Sequence, residues 1–290
     1  MLRSPAVSRP AWINLIAGSG PDRKSPVEIF ATAASVFTRS QYAGVSGLRG
    51  GRLERWTDGV GSIRADCRTF ARYWHDNNEA VLADPEGGPV WVVLGDSTAQ
   101  GIGAPGPDGG YVGQSLRQLE ARTGERWRIL NLSVSGSLIR DVLAEQLPAL
   151  ASLPIQPALV TCGIGVNDIL FSAPAKLFSD LRVLLDTVPE GTVMLDLPVP
   201  KGFWWIVGMC SVPYITRINR VIHEVADTRN LLVAEVSTQF RPPWPGKFSV
   251  DSFHPSQDGY RDWARALLAV LPTGGYGGPC PQPSVLPAIT

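Results

Sequence analysis

From residue 89 onward, the hydrophobic positions fall into an alternation of two periods. Short apolar runs at 90–95, 128–134, 158–163, 192–197 and 231–236 are rich in Val, Leu and Ile. Such runs read as strands covered on both faces. Between them, stretches near 110–122, 137–150, 175–188 and 213–228 repeat at helical spacing, and a last helix spans about 256–270. Strand–helix alternation at this interval predicts a parallel sheet joined by right-handed crossovers. The expected fold class is therefore α/β, a flavodoxin-like three-layer α/β/α sandwich. Its five-stranded parallel sheet is expected in the order 2-1-3-4-5.

Residues 1–88 follow a different pattern. Pro5, Pro10 and Pro21 mark an arm to about residue 24. Val27, Phe30, Ala34 and Phe37 then form an apolar stripe that predicts a short helix within Pro26–Tyr42. A glycine-dotted link (Gly44, Gly47, Gly50, Gly51) leads to a second helix, Ile63–Leu82, whose aromatic stripe is Phe70, Tyr73 and Trp74. These residues are read as an N-terminal arm and helical extension. They are expected to pack on a main domain at 89–272, with an irregular Gly/Pro-rich tail at 273–290.

Polar and glycine residues collect at the ends of the predicted strands. In open α/β sheets, the crevice beyond the carboxyl ends of the strands is where ligands bind. The first strand stops at Gly95-Asp96-Ser97, the second at Asn131-Leu132-Ser133-Val134-Ser135-Gly136, and the third at Gly163-Ile164-Gly165-Val166-Asn167-Asp168. Asp251-Ser252-Phe253-His254-Pro255 stands just before the last helix. Each has an ordinary explanation by itself, as a turn glycine, a helix cap or a loop ion pair.

Composition narrows the function classes. The chain has 290 residues, 44% hydrophobic and 18% charged, enough for a sizeable core. With 26 basic and 26 acidic residues its net charge is zero, so no nucleic-acid partner is expected. Cys67, Cys162, Cys210 and Cys280 lack CxxC spacing and read as free thiols in a reducing compartment. No His/Cys/carboxylate cluster has metal-ligand spacing, and neither metal nor cofactor is expected. No apolar stretch is long enough to span a bilayer and no secretory signal is apparent, so the expected location is cytoplasmic.

Histidine counting sharpens the picture. Of three histidines, His75 and His223 fall on predicted helices and read as structural or surface residues. His254 has a carboxylate three residues before it, and Pro255 keeps it out of helical geometry. Ser97 with His254 and Asp251 would then supply what acyl transfer requires. A serine hydroxyl needs an adjacent base, and the base needs an orienting acid. The charge developing on the carbonyl oxygen needs preset N–H donors. The Ser97 N–H, the Gly136 N–H and the Asn167 amide are the candidates for those donors.

These blocks together resemble the SGNH (GDSL-like) hydrolase superfamily. Gly95-Asp96-Ser97, the Gly136 turn, Gly165-x-Asn167-Asp168 and Asp251-x-x-His254-Pro255 occur in the family's order. The resemblance covers about residues 90–271. It implies Ser97 as nucleophile, Asp251 and His254 as its partners, and Ser97, Gly136 and Asn167 as the oxyanion hole. Thr98 departs from the family, which often has Leu there. The implied activity is that of an esterase working through an acyl-enzyme on a small-molecule acyl ester. The alternatives are transfer to a sugar or other hydroxylated acceptor in place of water, or a catalytically dead binding module.

Two other readings fit less well. Gly95-Asp96-Ser97-Thr98-Ala99 ends in Ala where a nucleophile elbow needs Gly. Gly101-Ile102-Gly103-Ala104-Pro105-Gly106 matches the dinucleotide fingerprint formally, but it follows Gly-Asp-Ser rather than the strand, and Pro105 interrupts it. Finally, Pro198–Cys210 is too apolar for an exposed loop. Trp204, Trp205 and Met209 within it are expected to line or lid an acyl-chain site of medium length.

Overall fold

Val90, Val92 and Leu94 bury one face of the first strand, Trp91 and Val93 the other, and all five are inaccessible to solvent. That pattern belongs to a strand with helices on both sides. The computed structural model describes residues 54–84, 87–199 and 205–271, with side chains from Ala65 and Val212 onward in the two long helices. Its sheet holds β1 (Val90–Gly95), β2 (Arg128–Asn131), β3 (Leu159–Gly163), β4 (Val193–Leu195) and β5 (Leu232–Ala234). The order is β2-β1-β3-β4-β5 with every pair parallel, which is the expected topology. Register places Val93 beside Asn131 and Thr161, and Gly95 beside Gly163.

The helices are α1 (Glu54–Ala83), α2 (Ser97–Gln100), α3 (Tyr111–Thr123), α4 (Ile139–Asp141), α5 (Leu147–Ser152), α6 (Val166–Phe171), α7 (Pro174–Thr187), α8 (Trp205–Arg229), α9 (Val236–Gln239) and α10 (Gln257–Val270). On the Val92 face, Ile139, Leu181 and Leu184 of α4 and α7 pack with Ile215, Ile218 and Ile222 of α8. On the Trp91 face lie Phe70 and Trp74 of α1, Tyr111 and Leu119 of α3, and Tyr260, Trp263 and Leu267 of α10. Full burial of such a side chain is worth roughly 1.5–3 kcal/mol. Strands as short as β4 and β5 are therefore held mainly by the layers around them.

β2 is an edge strand, and α1 closes it. Asn77 donates to the Ile129 carbonyl at 2.7 Å. Asn78 donates to the Asn131 carbonyl at 2.8 Å and accepts the Asn131 N–H at 2.9 Å. Its amide thus stands in for one residue of a neighbouring strand and satisfies backbone groups that an open edge would expose.

Several boundaries differ from the sequence expectation. The second, fourth and fifth strands end early, at Asn131, Leu195 and Ala234. Asp196 accepts the Ser237 N–H at 2.7 Å, which turns Val236 into the start of α9 rather than the end of a strand. The 137–150 helix begins at Ile139 and carries a π-helical segment, Val142–Gln146, between α4 and α5. α1 begins at Glu54 instead of Ile63. α8 begins at Trp205 instead of residue 213, with Pro213 inside it. A proline reads as a first-turn residue from sequence, but here the lost N–H is tolerated mid-helix on an exposed face. The expected helix within Pro26–Tyr42 and the 273–290 tail lie outside the described residues. Among the described residues, no helix is long and apolar enough to cross a membrane.

Candidate active site

The turn after β1 is set by two backbone constraints. Gly95 has φ +144°, and a Cβ there would stand 2.3 Å from the Gly163 carbonyl oxygen on β3, so only glycine fits. Gln146 of the π-helical segment clamps the same residue, accepting the Gly95 N–H and donating to its carbonyl, each at 2.8 Å. Asp96 then caps α2: one carboxylate oxygen accepts the Thr98 N–H at 2.9 Å and the Thr98 hydroxyl at 2.8 Å. Thr98, the departure from the family pattern, thereby adds a bond that leucine lacks. Burial raises the Asp96 carboxyl above its ordinary range, against the two Thr98 bonds that hold it down. Ser97 sits at the first position of α2, where its own N–H has no partner within the helix.

The Ser97 hydroxyl oxygen lies 2.9 Å from His254 Nε2, and His254 Nδ1 lies 2.5 Å from Asp251 Oδ2. The other oxygen of Asp251 accepts the Ser249 hydroxyl at 2.6 Å and the N–H groups of Phe253 and His254, each at 3.0 Å. Burial pushes the Asp251 carboxyl up, but the His254 hydrogen bond and charge, with the Ser249 and Phe253 donors, outweigh it and hold it at about 2. Asp251 is thus ionised at every pH at which the protein would work. Gly103 supports this loop from below. It has φ +97°, and a Cβ would stand 2.5 Å from the Pro255 carbonyl and 2.9 Å from His254 Cβ. Tyr260 donates to the Ile102 carbonyl at 2.6 Å alongside it. Gly103, the middle glycine of the run that mimics a dinucleotide fingerprint in sequence, therefore seats the histidine loop.

Asn167 opens α6 and is 9% exposed. Its amide donates to the Ser137 carbonyl at 3.0 Å, and its remaining contact, Asp96 Oδ2 at 3.5 Å, is too long to be strong. Gly136 precedes Ser137 in a turn closed by Ser137 N–H to the Val134 carbonyl at 3.0 Å. It has φ +84°, and no atom lies within 4 Å of where a Cβ would be, so it faces open space. Asp168 ties the two segments together, accepting the Ile139 N–H at 3.0 Å and the Ser172 hydroxyl at 3.1 Å. Burial pushes its carboxyl up to about 6, against the pull of those two donors.

Beside Ser97 and Asn167 opens a pocket with apolar walls. Val166, Ile169 and Leu170 come from α6, Pro198 from the exit of β4 and Ile215 from α8. Phe240, Phe248, Phe253 and Trp263 close the other side. Leu170 and its neighbour Phe171 are exposed at 45% and 73%. Of the residues expected to form an acyl site, Trp204 lies outside the described residues. Trp205 and Met209 stand on α8 rather than on a loop; their side chains are likewise outside the described ones. Cys67 and Cys162 are free thiols, and among the described residues no group of His, Cys, Asp and Glu is placed to hold a metal.

Sequence reasoning missed Gln146, Gln100 and Asn219. All three are side-chain amides bonded to backbone at strand ends, with Asn219 bridging both the N–H and the carbonyl of Leu197 at 2.9 Å. Nothing local signals them, because each acts on a segment distant in sequence.

No curated protein sequence matches the chain. Among solved structures, TesA superposes with a TM-score of 0.52 at 25% identity, covering 63% of this chain and 97% of that one. The lipase Lip_vut3 from a goat rumen metagenome gives 0.52 at 22% identity, with the same coverages. A catalytic mutant of Axe2, an acetylxylan esterase from Geobacillus stearothermophilus, gives 0.51 at 22%, covering 62% and 93%. The model of the GDSL-like lipase/acylhydrolase family matches residues 93–261, from β1 into α10 and through every block of the site. The chain therefore belongs to the GDSL-like lipase/acylhydrolase family, within the SGNH superfamily of serine ester hydrolases.

Proposed function

We propose that the protein hydrolyses acyl esters of medium chain length, using Ser97 as nucleophile, His254 as general base and Asp251 as the group that orients it. The observation carrying this reading is the unbroken Ser97–His254–Asp251 hydrogen-bond chain beside an apolar pocket. The Ser97 oxygen attacks the ester carbonyl as its proton passes to His254 Nε2. The imidazolium then protonates the departing alkoxide, leaving an acyl-enzyme. Water, deprotonated by His254, attacks that acyl carbon, and the carboxylic acid leaves as the Ser97 hydroxyl is restored.

The negative charge on the tetrahedral oxygen would be met by the Ser97 N–H, the Gly136 N–H and the Asn167 amide. The last is available once it gives up its long contact to Asp96. Asn167→Ala is expected to lower kcat by about 10²–10³ with little change in KM, the cost of one oxyanion donor. Steady-state kinetics on a single ester checks this, and a wild-type kcat would remove Asn167 from the hole.

The acyl chain would lie in the apolar pocket, where each buried methylene is worth roughly 0.8 kcal/mol. α8 brings Ile215 to that pocket, and Trp205 and Met209 sit about two to three turns ahead on the same helix. Across a series of aryl esters, kcat/KM should rise severalfold per step from acetyl towards medium chains. Leu170→Trp, which adds bulk at the mouth, should move the optimum to shorter chains, and Trp205→Ala should flatten the preference. A series in which acetyl is best, unchanged in both variants, would refute the chain-length assignment. Repeating the series with an added sugar or alcohol, and resolving products by mass, separates hydrolysis from transfer to a hydroxylated acceptor.

A further inference from the structure

We propose that α1, which lies outside the family-matched residues 93–261, is a positioning element for the loop that carries Gly136. The inference rests on Gly136 serving as an oxyanion donor. Its basis is a buried polar network that starts on α1 and ends on that loop. Trp74 Nε1 donates to the Gln100 carbonyl at 3.0 Å. The Gln100 side chain donates to the Ser133 carbonyl at 2.9 Å and accepts the Ser135 hydroxyl at 2.5 Å. Cys67, also on α1, lies beside Ser135. Asn78 holds both backbone groups of Asn131. The Asn131 side chain in turn donates to the Ala99 carbonyl at 2.9 Å and accepts the Ser133 N–H at 3.1 Å and the Ser133 hydroxyl at 2.5 Å.

Trp74, Asn78, Gln100, Asn131 and Ser133 are each at most 6% exposed, so water offers them no alternative partners. The network joins three things: α1, the α2 turn that carries Ser97, and the segment Ser133–Ser135 immediately before Gly136. Beyond its turn bond, the loop is tied by the Val134 N–H to the Gly95 carbonyl at 3.2 Å and by the Asn167 amide to the Ser137 carbonyl at 3.0 Å. From the α1 side it is held at two further residues by Gln100, and Gln100 is itself held by Trp74 of α1. Preorganised donors act through placement, and an error of about 1 Å in such a group can cost roughly 100-fold in rate.

The test compares full-length variants that differ in where they cut the network. Trp74→Phe keeps an aromatic side chain in the core but loses the indole N–H to Gln100 together with the pyrrole half of the ring; Gln100→Met keeps the volume and loses both contacts to the loop. Asn77→Ala removes an α1 anchor of similar kind that touches Ile129, remote from the loop. The readouts are kcat, KM, melting temperature and amide hydrogen exchange at Ser137. Trp74→Phe and Gln100→Met should lower kcat roughly 10- to 100-fold with KM within about twofold, and speed exchange at Ser137. Asn77→Ala should lower the melting temperature and leave kcat alone. Wild-type kcat and exchange in Trp74→Phe would overturn the proposal, whether or not Gln100→Met folds. Asn167→Ala run in parallel tells the two failures apart. If it loses rate while the α1 variants do not, only the positioning role falls; if it too is unimpaired, the oxyanion reading falls first.

Discussion

Ser97→Ala and His254→Ala are each expected to bring ester cleavage close to background, a loss on the order of 10⁶ in kcat, with the fold retained. The expectation follows from the 2.9 Å contact between the Ser97 hydroxyl and His254 Nε2. Without the hydroxyl there is no acyl-enzyme, and without the imidazole the hydroxyl stays protonated and weakly nucleophilic. Because the two groups act as one unit, the double variant should be scarcely worse than either single one. Neither change removes core packing. In His254→Ala the Asp251 carboxylate keeps the Ser249 hydroxyl and the Phe253 and backbone His254 N–H groups, so it is not stranded. Purified variants compared by circular dichroism and by kinetics on one ester decide the matter. Near-normal turnover by Ser97→Ala would place the chemistry elsewhere.

Asp251→Asn should be nearly as severe, about 10⁴ in kcat at neutral pH, though less complete than loss of the nucleophile. An asparagine that presents its NH₂ to His254 Nδ1 reverses the hydrogen bond. The imidazole then carries its proton on Nε2, facing Ser97, and cannot accept the serine proton. In the native protein Asp251, held at about 2, is ionised across the working range and gives activity no limb of its own near neutrality. No acid limb of the wild-type pH–rate profile in the working range should therefore belong to Asp251. Stability has the matching sign. A carboxyl whose pKa is depressed by folding stabilises the protein above the ordinary carboxylate range, and that contribution is lost as pH falls through about 2. Asp251→Asn should lose this part of the acid resistance. A variant retaining more than about a tenth of wild-type kcat would show that His254 is oriented by other groups.

Legibility from sequence followed the range of the interactions involved. The parallel pairing and the outline of most helices came from the alternation of apolar runs with helical periodicity, and the sheet order from the fold class that this alternation implies. Ser97, Asn167, Asp251 and His254 could be picked out because each lies in a short run at a strand end or a helix mouth, and the structure brings these runs together. The failures share a cause as well. α1 is longer than its stripe because Gly59 and Gly61 weaken the helical signal over 54–62, where it is nevertheless helical. α8 runs through Pro213, which local rules place at a helix start.

By itself, then, the sequence determined the class of fold, with the strand order that class implies, and the candidate catalytic groups at the strand ends. Those depend on the chemistry of neighbouring residues and on the need to bury apolar faces. Only the tertiary structure decided how the groups are held. The Gln146 clamp on Gly95 joins positions 51 residues apart, the Gln100 grip on Ser133 positions 33 apart, and the Asn78 pairing with the edge of β2 positions 53 apart. A side-chain amide looks the same in sequence whether it faces water or replaces a missing strand. Which of these it does depends on the backbone groups that folding leaves unpaired beside it.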